Sequence, residues 1–126
     1  MKLKHVGLVC RGEAAADRFY RDLLGLQKSE PRKISASLAQ PLFSIDADVA
    51  SFYYTGEGFQ VEVFIHDSPG ESPGRIAHAC LEVEDLDHLL TRAKSLGFAV
   101  ARVAKGTGFI CFLDDLDGNR FEVKPR

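Results

Sequence analysis

Two stretches of the chain place apolar residues at the spacing of an amphipathic helix. One stretch carries Ala16, Phe19, Tyr20 and Leu23, and the other carries Leu86, Leu89, Leu90 and Ala93. Asp85 is a suitable N-cap for the second stretch, and Gly25 and Gly97 follow the two stretches at positions where helices commonly end in a left-handed residue. The pattern therefore predicts two helices.

Alternating or continuously apolar segments elsewhere predict eight strands, near 3–10, 34–38, 48–54, 59–65, 76–83, 98–103, 108–113 and 120–124. The predicted order is strand, helix and three strands, written twice. Residues 67–74 between the copies are rich in Pro, Gly and Ser, a composition typical of an exposed connection. We therefore expect a single α+β domain over residues 1–126, with module one at about 1–66, a hinge at about 67–74 and module two at about 75–126.

The repeat extends to individual residues. His5 aligns with His78, while Gly58, Glu62 and Val63 each have an identical residue 60 positions later. His5 precedes Glu62 by 57 residues, whereas His78 precedes Glu122 by 44. The first copy is therefore longer, and we expect the extra residues between positions 28 and 48.

Each copy begins with a His on its first strand and ends with a Glu on its last strand. Strand side chains alternate between faces, so these residues lie opposite the apolar row that would pack on the helix. An isolated strand His or Glu is ordinarily a hydrogen-bonded or solvent-facing residue, but a repeated pair favours a metal site at a pseudo-twofold axis. The predicted ligands are His5, Glu62, His78 and Glu122, a nitrogen and oxygen set suited to Zn, Ni, Co, Mn or Fe(II).

The charge balance and the N-terminus narrow the possible partners. Lys and Arg number 16 against 18 Asp and Glu, with no basic cluster, so we expect no nucleic-acid partner. The first residues hold no apolar stretch of the kind that a signal peptide needs, so we expect a cytoplasmic protein without a membrane segment. Cys10, Cys80 and Cys111 form no CxxC pair and are predicted to be reduced core residues.

The chain resembles the vicinal oxygen chelate superfamily, which includes glyoxalases, bleomycin-resistance proteins and extradiol dioxygenases. The resemblance covers nearly the whole chain and is carried by HVGLV at 5–9, RFYRDLLGL at 18–26, VEVF at 61–64, HACLEV at 78–83 and DDLDGNRFEV at 114–123. It implies paired βαβββ modules that form a curved, partly closed mixed sheet with helices outside.

Among the subfamilies, lactoylglutathione lyase is the most similar in its metal ligands, which are His, Glu, His and Glu at the places held here by His5, Glu62, His78 and Glu122. The resemblance implies a lyase or isomerase that abstracts a proton next to a carbonyl, with the enediolate charge held on one divalent metal, most often Zn, Ni or Co. It also implies that Glu122 and Glu62 are the catalytic carboxylates, that the substrate is a small carbonyl compound or its thiol adduct, and that the protein is a homodimer.

Two other functions stay open at this point. A non-haem iron dioxygenase of this superfamily needs only two His and one Glu, so the presence of Glu62 argues against that class. A sequestering protein of the bleomycin-resistance type would bind a small molecule without turnover. Arg11, Arg18, Arg32 and Lys33 are available for an anionic substrate group, and Phe43, Phe109 and Phe112 are candidates for the lining of an apolar pocket.

Overall fold

The structure, a computed structural model, describes residues 5–43, 45–67 and 78–126, with side chains described for all of these except 42 and 43. The chain forms two compact units, Met1–Pro69 and Gly70–Arg126. Apart from Asp67, the predicted hinge at 67–74 lies outside the described residues, and so do residues 3 and 4 of the first predicted strand and 76 and 77 of the fifth. The division into two modules of a single domain stays a prediction.

The first unit is a mixed sheet with helical segments. Its elements are β1 (Val6–Cys10), α1 (Glu13–Ala16), a π-helical segment (Asp17–Leu23) that continues α1, β2 (Gln27–Lys28), β3 (Arg32–Ile34), α2 (Ala36–Phe43), β4 (Val49–Gly56) and β5 (Phe59–Ile65). The strand order is β1-β5-β4-β2, and β3 also pairs with β4. β1 runs parallel to β5, and the other pairs are antiparallel.

The second unit repeats this topology in a simpler form. Its elements are β6 (Ala79–Val83), α3 (Leu86–Ser95), β7 (Ala99–Lys105), β8 (Gly108–Asp114) and β9 (Arg120–Pro125). The strand order is β6-β9-β8-β7, with β6 parallel to β9. Two mixed sheets with helices, neither closed into a barrel within the described residues, confirm the predicted α+β class.

The two predicted helices are present and bury the predicted faces. Ala16, Phe19, Tyr20 and Leu23 are buried in the first, and Leu89, Leu90 and Ala93 in the second. Asp85 caps α3 by accepting a hydrogen bond from the backbone N–H of His88 at 2.9 Å. Gly25 (φ 70°) and Gly97 (φ 83°) adopt the predicted left-handed conformation, which any residue with a Cβ would adopt only under strain.

The strand predicted at 34–38 is wrong over most of its length. β3 ends at Ile34, and α2 begins at Ala36, where the backbone N–H donates to Oδ1 of Asp48 at 2.8 Å. The segment ISASL alternates apolar and polar residues as a strand does. The carbonyl of Ser35, however, accepts from the N–H groups of Leu38 and Ala39, so helical bonding prevails. The extra residues of the first copy between positions 28 and 48 thus hold β3 and α2.

A polar cluster ties the first helix to β2 and β4. Tyr54 donates to Oδ1 of Asp17 at 2.7 Å, and Lys28 donates to the other oxygen of Asp17 at 3.0 Å while it also pairs with Glu13. Burial raises the pKa of Asp17, but the hydrogen bonds from Lys28 and Tyr54 outweigh it and leave that pKa below its ordinary value. The Nζ atom of Lys28 lies 4.3 Å from the ring centroid of Phe52. These contacts position β4, which borders the candidate site.

The three cysteines are free thiols, but they are not all core residues. Cys10 and Cys111 are buried as predicted, whereas Cys80 is exposed. The prediction was wrong for Cys80 because it lies on the face of β6 that the helix does not cover.

No helix in the described part of the chain is long and apolar enough to cross a membrane.

Candidate metal centre

His5 and Glu62 form the first of two equivalent pairs. Nε2 of His5 lies 3.3 Å from Oε2 of Glu62, which is buried in the middle of β5. Gly7 of β1 stands opposite Glu62 in the parallel ladder. His5 lies two residues before Gly7, so strand alternation directs the side chains of His5 and Glu62 to the same face of the sheet.

His78 and Glu122 form the second pair with the same construction. Nε2 of His78 lies 3.4 Å from Oε2 of Glu122. Cys80 of β6 stands opposite Glu122 in β9, and His78 lies two residues before Cys80. The structure therefore brings each predicted His together with the Glu of its own copy at the same register of two separate sheets.

An aromatic ring supports each imidazole edge-on. Tyr53 stands opposite Glu62 in the β4–β5 ladder, and its ring centroid lies 5.6 Å from that of His5 at an interplanar angle of 64°. Phe112 stands opposite Glu122, and its centroid lies 5.6 Å from that of His78 at 85°. Edge-to-face packing of this kind is a favourable arrangement that limits ring rotation.

The donor atoms fit a divalent cation. Two ligand atoms about 2.0–2.2 Å from one ion, at an angle of about 90–110°, are about 2.8–3.6 Å apart. Both His–Glu distances lie in that range, whereas the usual N–H···O hydrogen bond is about 2.7–3.2 Å long. Nδ1 of His5 is buried and has no hydrogen-bond partner among the described residues, so the ring presents Nε2 to polar groups.

The sequence matches a family model over residues 2–123, and that model describes the Glyoxalase/Bleomycin resistance protein/Dioxygenase superfamily. The chain belongs to this superfamily. The match confirms the resemblance to vicinal oxygen chelate proteins at the level of the superfamily. No curated protein has a significantly similar sequence.

Solved structures of other superfamily proteins have the same fold. A glyoxalase family protein from Enterococcus faecalis is 21% identical, with 97% of this chain and 95% of that chain covered and a TM-score of 0.71. The fosfomycin resistance protein FosX from Listeria monocytogenes is 14% identical, with 100% and 93% covered and a TM-score of 0.75. A variant of that FosX complexed with Mn(II) and 1S,2S-dihydroxypropylphosphonic acid is 15% identical, with 96% and 89% covered and a TM-score of 0.73.

Within the superfamily fold, the surroundings of the two glutamates differ. Ser51 donates a hydrogen bond of 3.1 Å to Oε1 of Glu62, and both residues are buried. Oε1 of Glu122 instead lies 3.4 Å from Nζ of Lys124, a side chain that is half exposed. The repeat therefore holds for the His and Glu residues and for the aromatic ring beside each imidazole, and it differs at the group that contacts Oε1 of each glutamate.

Cationic side chains stand over both aromatic rings. The guanidinium of Arg32 lies 4.9 Å from the ring centroid of Tyr53, and that of Arg120 lies 5.6 Å from Phe112. Arg120 makes two hydrogen bonds to Asp114, at 2.7 and 2.8 Å, which raise the pKa of the guanidinium and pair its positive charge with a carboxylate. Arg32 has no carboxylate partner among the described side chains.

The other candidates from the sequence are placed as follows. Lys33 pairs with Asp48 at 2.7 Å. Phe109 lies under the guanidinium of Arg102 at 4.2 Å, and the residue is 58% exposed. It lies on the sheet face opposite Phe112, so of these two residues only Phe112 joins the candidate site. The side chain of Phe43 lies outside the described part of the structure.

Sequence reasoning missed Tyr53 and Ser51. Tyr53 precedes Glu62 by nine residues and Phe112 precedes Glu122 by ten, so an aligned aromatic residue in both copies was a usable signal. No comparable signal marks Ser51, since the second copy has no hydroxyl at the matching place.

Proposed function

We propose that the chain is a metal-dependent enzyme of the glyoxalase type that abstracts a proton next to a carbonyl group, in the manner of lactoylglutathione lyase. The observation that carries the proposal is the repeated His–Glu pair. The distance from Nε2 to Oε2 is 3.3 Å between His5 and Glu62 and 3.4 Å between His78 and Glu122, and the two pairs occupy equivalent positions in their sheets. In this proposal all four side chains are ligands of one divalent ion, either within a chain or between the chains of a homodimer.

The four residues would hold the ion through two imidazole Nε2 atoms and two carboxylates. A bound divalent ion supplies Lewis acidity to the carbonyl and hydroxyl oxygens of the substrate, which acidifies the adjacent C–H. Zn, Ni or Co suit this donor set, and Mn or Fe are alternatives. The Mn(II) found with the FosX variant supports the capacity of this fold for such an ion.

The proton is taken by a carboxylate oxygen of this chain. Glu62 and Glu122 are the candidates, since each presents Oε2 beside an imidazole at the site. Tyr53 and Phe112 pack edge-on against the two imidazoles and limit their rotation. The substrate class is a small carbonyl compound or its thiol adduct.

An iron dioxygenase and a sequestering protein are the competing functions. Glu62 is buried, faces His5 and accepts a hydrogen bond from Ser51. A site with two His and one Glu needs no second carboxylate, so the presence of Glu62 favours the four-ligand enzyme. Oxygen consumption with Fe(II) would instead indicate the dioxygenase. Saturable binding of a small molecule that is unchanged by a metal chelator would indicate sequestration.

The test is metal content by mass spectrometry together with glyoxalase turnover after reconstitution with Zn, Ni or Co. The E62Q/E122Q double variant removes both carboxylates from the site, and E57Q/E82Q, which changes two exposed glutamates, is the matched control. We expect about one metal per site in the wild type and the control, loss of metal in the site variant, and turnover only when metal is present. A wild type that binds no metal under any loading condition would contradict the proposal.

A further inference from the structure

Ser51 is a buried hydroxyl that the reaction as described does not use. Its side chain is 0% exposed in β4, and its hydroxyl donates to Oε1 of Glu62 at 3.1 Å. The other oxygen, Oε2, lies 3.3 Å from Nε2 of His5. The two oxygens of one carboxylate thus contact two different residues, which determines the rotation of the carboxylate about its last bond.

The second unit has no counterpart of this hydroxyl. Ser51 lies two residues before Tyr53, which faces Glu62, and Ile110 lies two residues before Phe112, which faces Glu122. An isoleucine side chain offers no donor. Glu122 instead pairs with the ammonium of Lys124. The lysine side chain is long and 51% exposed, so it constrains the carboxylate less than a buried hydroxyl does.

We propose that Ser51 is a positioning residue, which holds Oε1 of Glu62 so that Oε2 is already directed at the metal before the metal binds. The inference rests on the proposed function, because it assigns Glu62 the part of a preformed ligand within that site. Residues that hydrogen-bond to a ligand orient it, and their loss lowers metal affinity or activity by about 10–100-fold. Glu62 is therefore the held carboxylate, and Glu122 is the one with more freedom to move.

The test compares S51A with T55V, a matched control that removes a hydroxyl from the same strand. The hydroxyl of Thr55 accepts from Gln60 on the surface and does not contact Glu62. Co(II) serves as the probe, and the readouts are its dissociation constant, its visible absorption spectrum and the shift of the melting temperature that it causes. We expect S51A to bind Co(II) about 10–100-fold more weakly with a changed spectrum, and T55V to match the wild type.

The outcomes separate this inference from the proposed function. If wild type binds Co(II), E122Q binds it more weakly and S51A matches the wild type in affinity and spectrum, the positioning role is wrong and the metal site stands. If S51A does not fold, S51C replaces the hydroxyl with a slightly larger and weaker donor. It is then tested with Mn(II), for which a thiol is a poor ligand, and it is expected to bind Mn(II) more weakly than the wild type.

A readout without metal decides the inference even if the wild type binds no metal. Crystal structures of the metal-free wild type and S51A would show the Glu62 carboxylate held toward His5 in the first and rotated away in the second. The same carboxylate position in both structures would overturn the positioning role.

Discussion

Tyr53 meets the imidazole of His5 edge-on, with the ring centroids 5.6 Å apart, from the place on β4 directly opposite Glu62. Phe112 makes the equivalent contact with His78. An aromatic ring at this position restricts the rotation of the imidazole.

We therefore expect Y53A and F112A each to weaken metal binding by about tenfold, since the imidazole that each ring supports gains rotational freedom. Y53F should behave as the wild type because the edge-on contact depends on the ring and not on the hydroxyl. Metal titration of the three variants checks this. Equal affinity in Y53A and Y53F would show that the ring has no influence on the ligand.

Arg32 is the described cation beside the first pair that lacks a carboxylate partner. We expect R32Q to raise KM for an anionic thiol adduct, such as a glutathione hemithioacetal, by about tenfold or more with little change in kcat, because a charge-assisted hydrogen bond contributes about 1.5–3 kcal/mol. K33Q is the matched control, since Lys33 is exposed and paired with Asp48. Steady-state kinetics measure KM and kcat separately. An equal rise in KM in R32Q and K33Q would argue against an anion site at Arg32.

Lys124 places a positive charge next to Glu122. Its pKa lies above the ordinary value because Cys80 and Glu122 are close, so the side chain is cationic at neutral pH. We expect K124Q to bind a divalent ion a few-fold more tightly at low salt, because repulsion of the ion is removed, and the difference should shrink at high salt, where screening shortens to about 3 Å at 1 M. K105Q, at the exposed end of β7, is the control. Metal titration of K124Q and the wild type at two salt concentrations tests this prediction. Tighter binding by K124Q that persists at high salt would rule out the electrostatic cause.

Asp17 makes stability depend on pH. Its folded-state pKa is lowered from the ordinary value of 3.8, so the carboxylate stabilises the fold at pH values above 3.8, and this contribution is lost as the pH falls through the lower folded value. We expect D17N to lower the free energy of unfolding by about 1–3 kcal/mol at neutral pH, because Tyr54 and Lys28 lose a charged acceptor.

Denaturant unfolding of wild type and D17N between pH 7 and pH 3 should show the difference in the free energy of unfolding narrowing as the pH falls below 3.8. D22N, which removes an exposed carboxylate paired with Arg21, should cost little at any pH. A gap that does not depend on pH would show that Asp17 acts through packing alone.

Local spacing was sufficient to predict the first helix, α3 and the two His–Glu pairs, but it missed α2. The positions of Phe19 and Leu23, or of Leu86 and Leu90, satisfy the helical period within one segment, so no distant residue is needed to interpret them. Glu62 and Glu122 stand 60 residues apart in matching segments, and a duplicated fold places matching residues at matching registers. The α+β class followed from the same repeat, whereas the resemblance to the superfamily came from the sequence motifs and was confirmed by the family model.

Local pattern misled where distant contacts decide the conformation. Ile34, Ala36 and Leu38 alternate with serines as in a strand, yet Asp48, 12 residues after Ala36, accepts from the first N–H of α2 and favours the helix. Cys80 sits in an apolar segment but faces away from α3, so it is exposed.

The sequence by itself determined the repeat, the first helix and α3, and the identity of the proposed ligands, because each depends on spacing along the chain. Only the tertiary structure decided what surrounds those ligands: the ring of Tyr53 against His5, the hydroxyl of Ser51 on Glu62 and Arg32 over Tyr53. These contacts join different strands, and the pairing register that creates them depends on the packing of a whole sheet and not on any one segment.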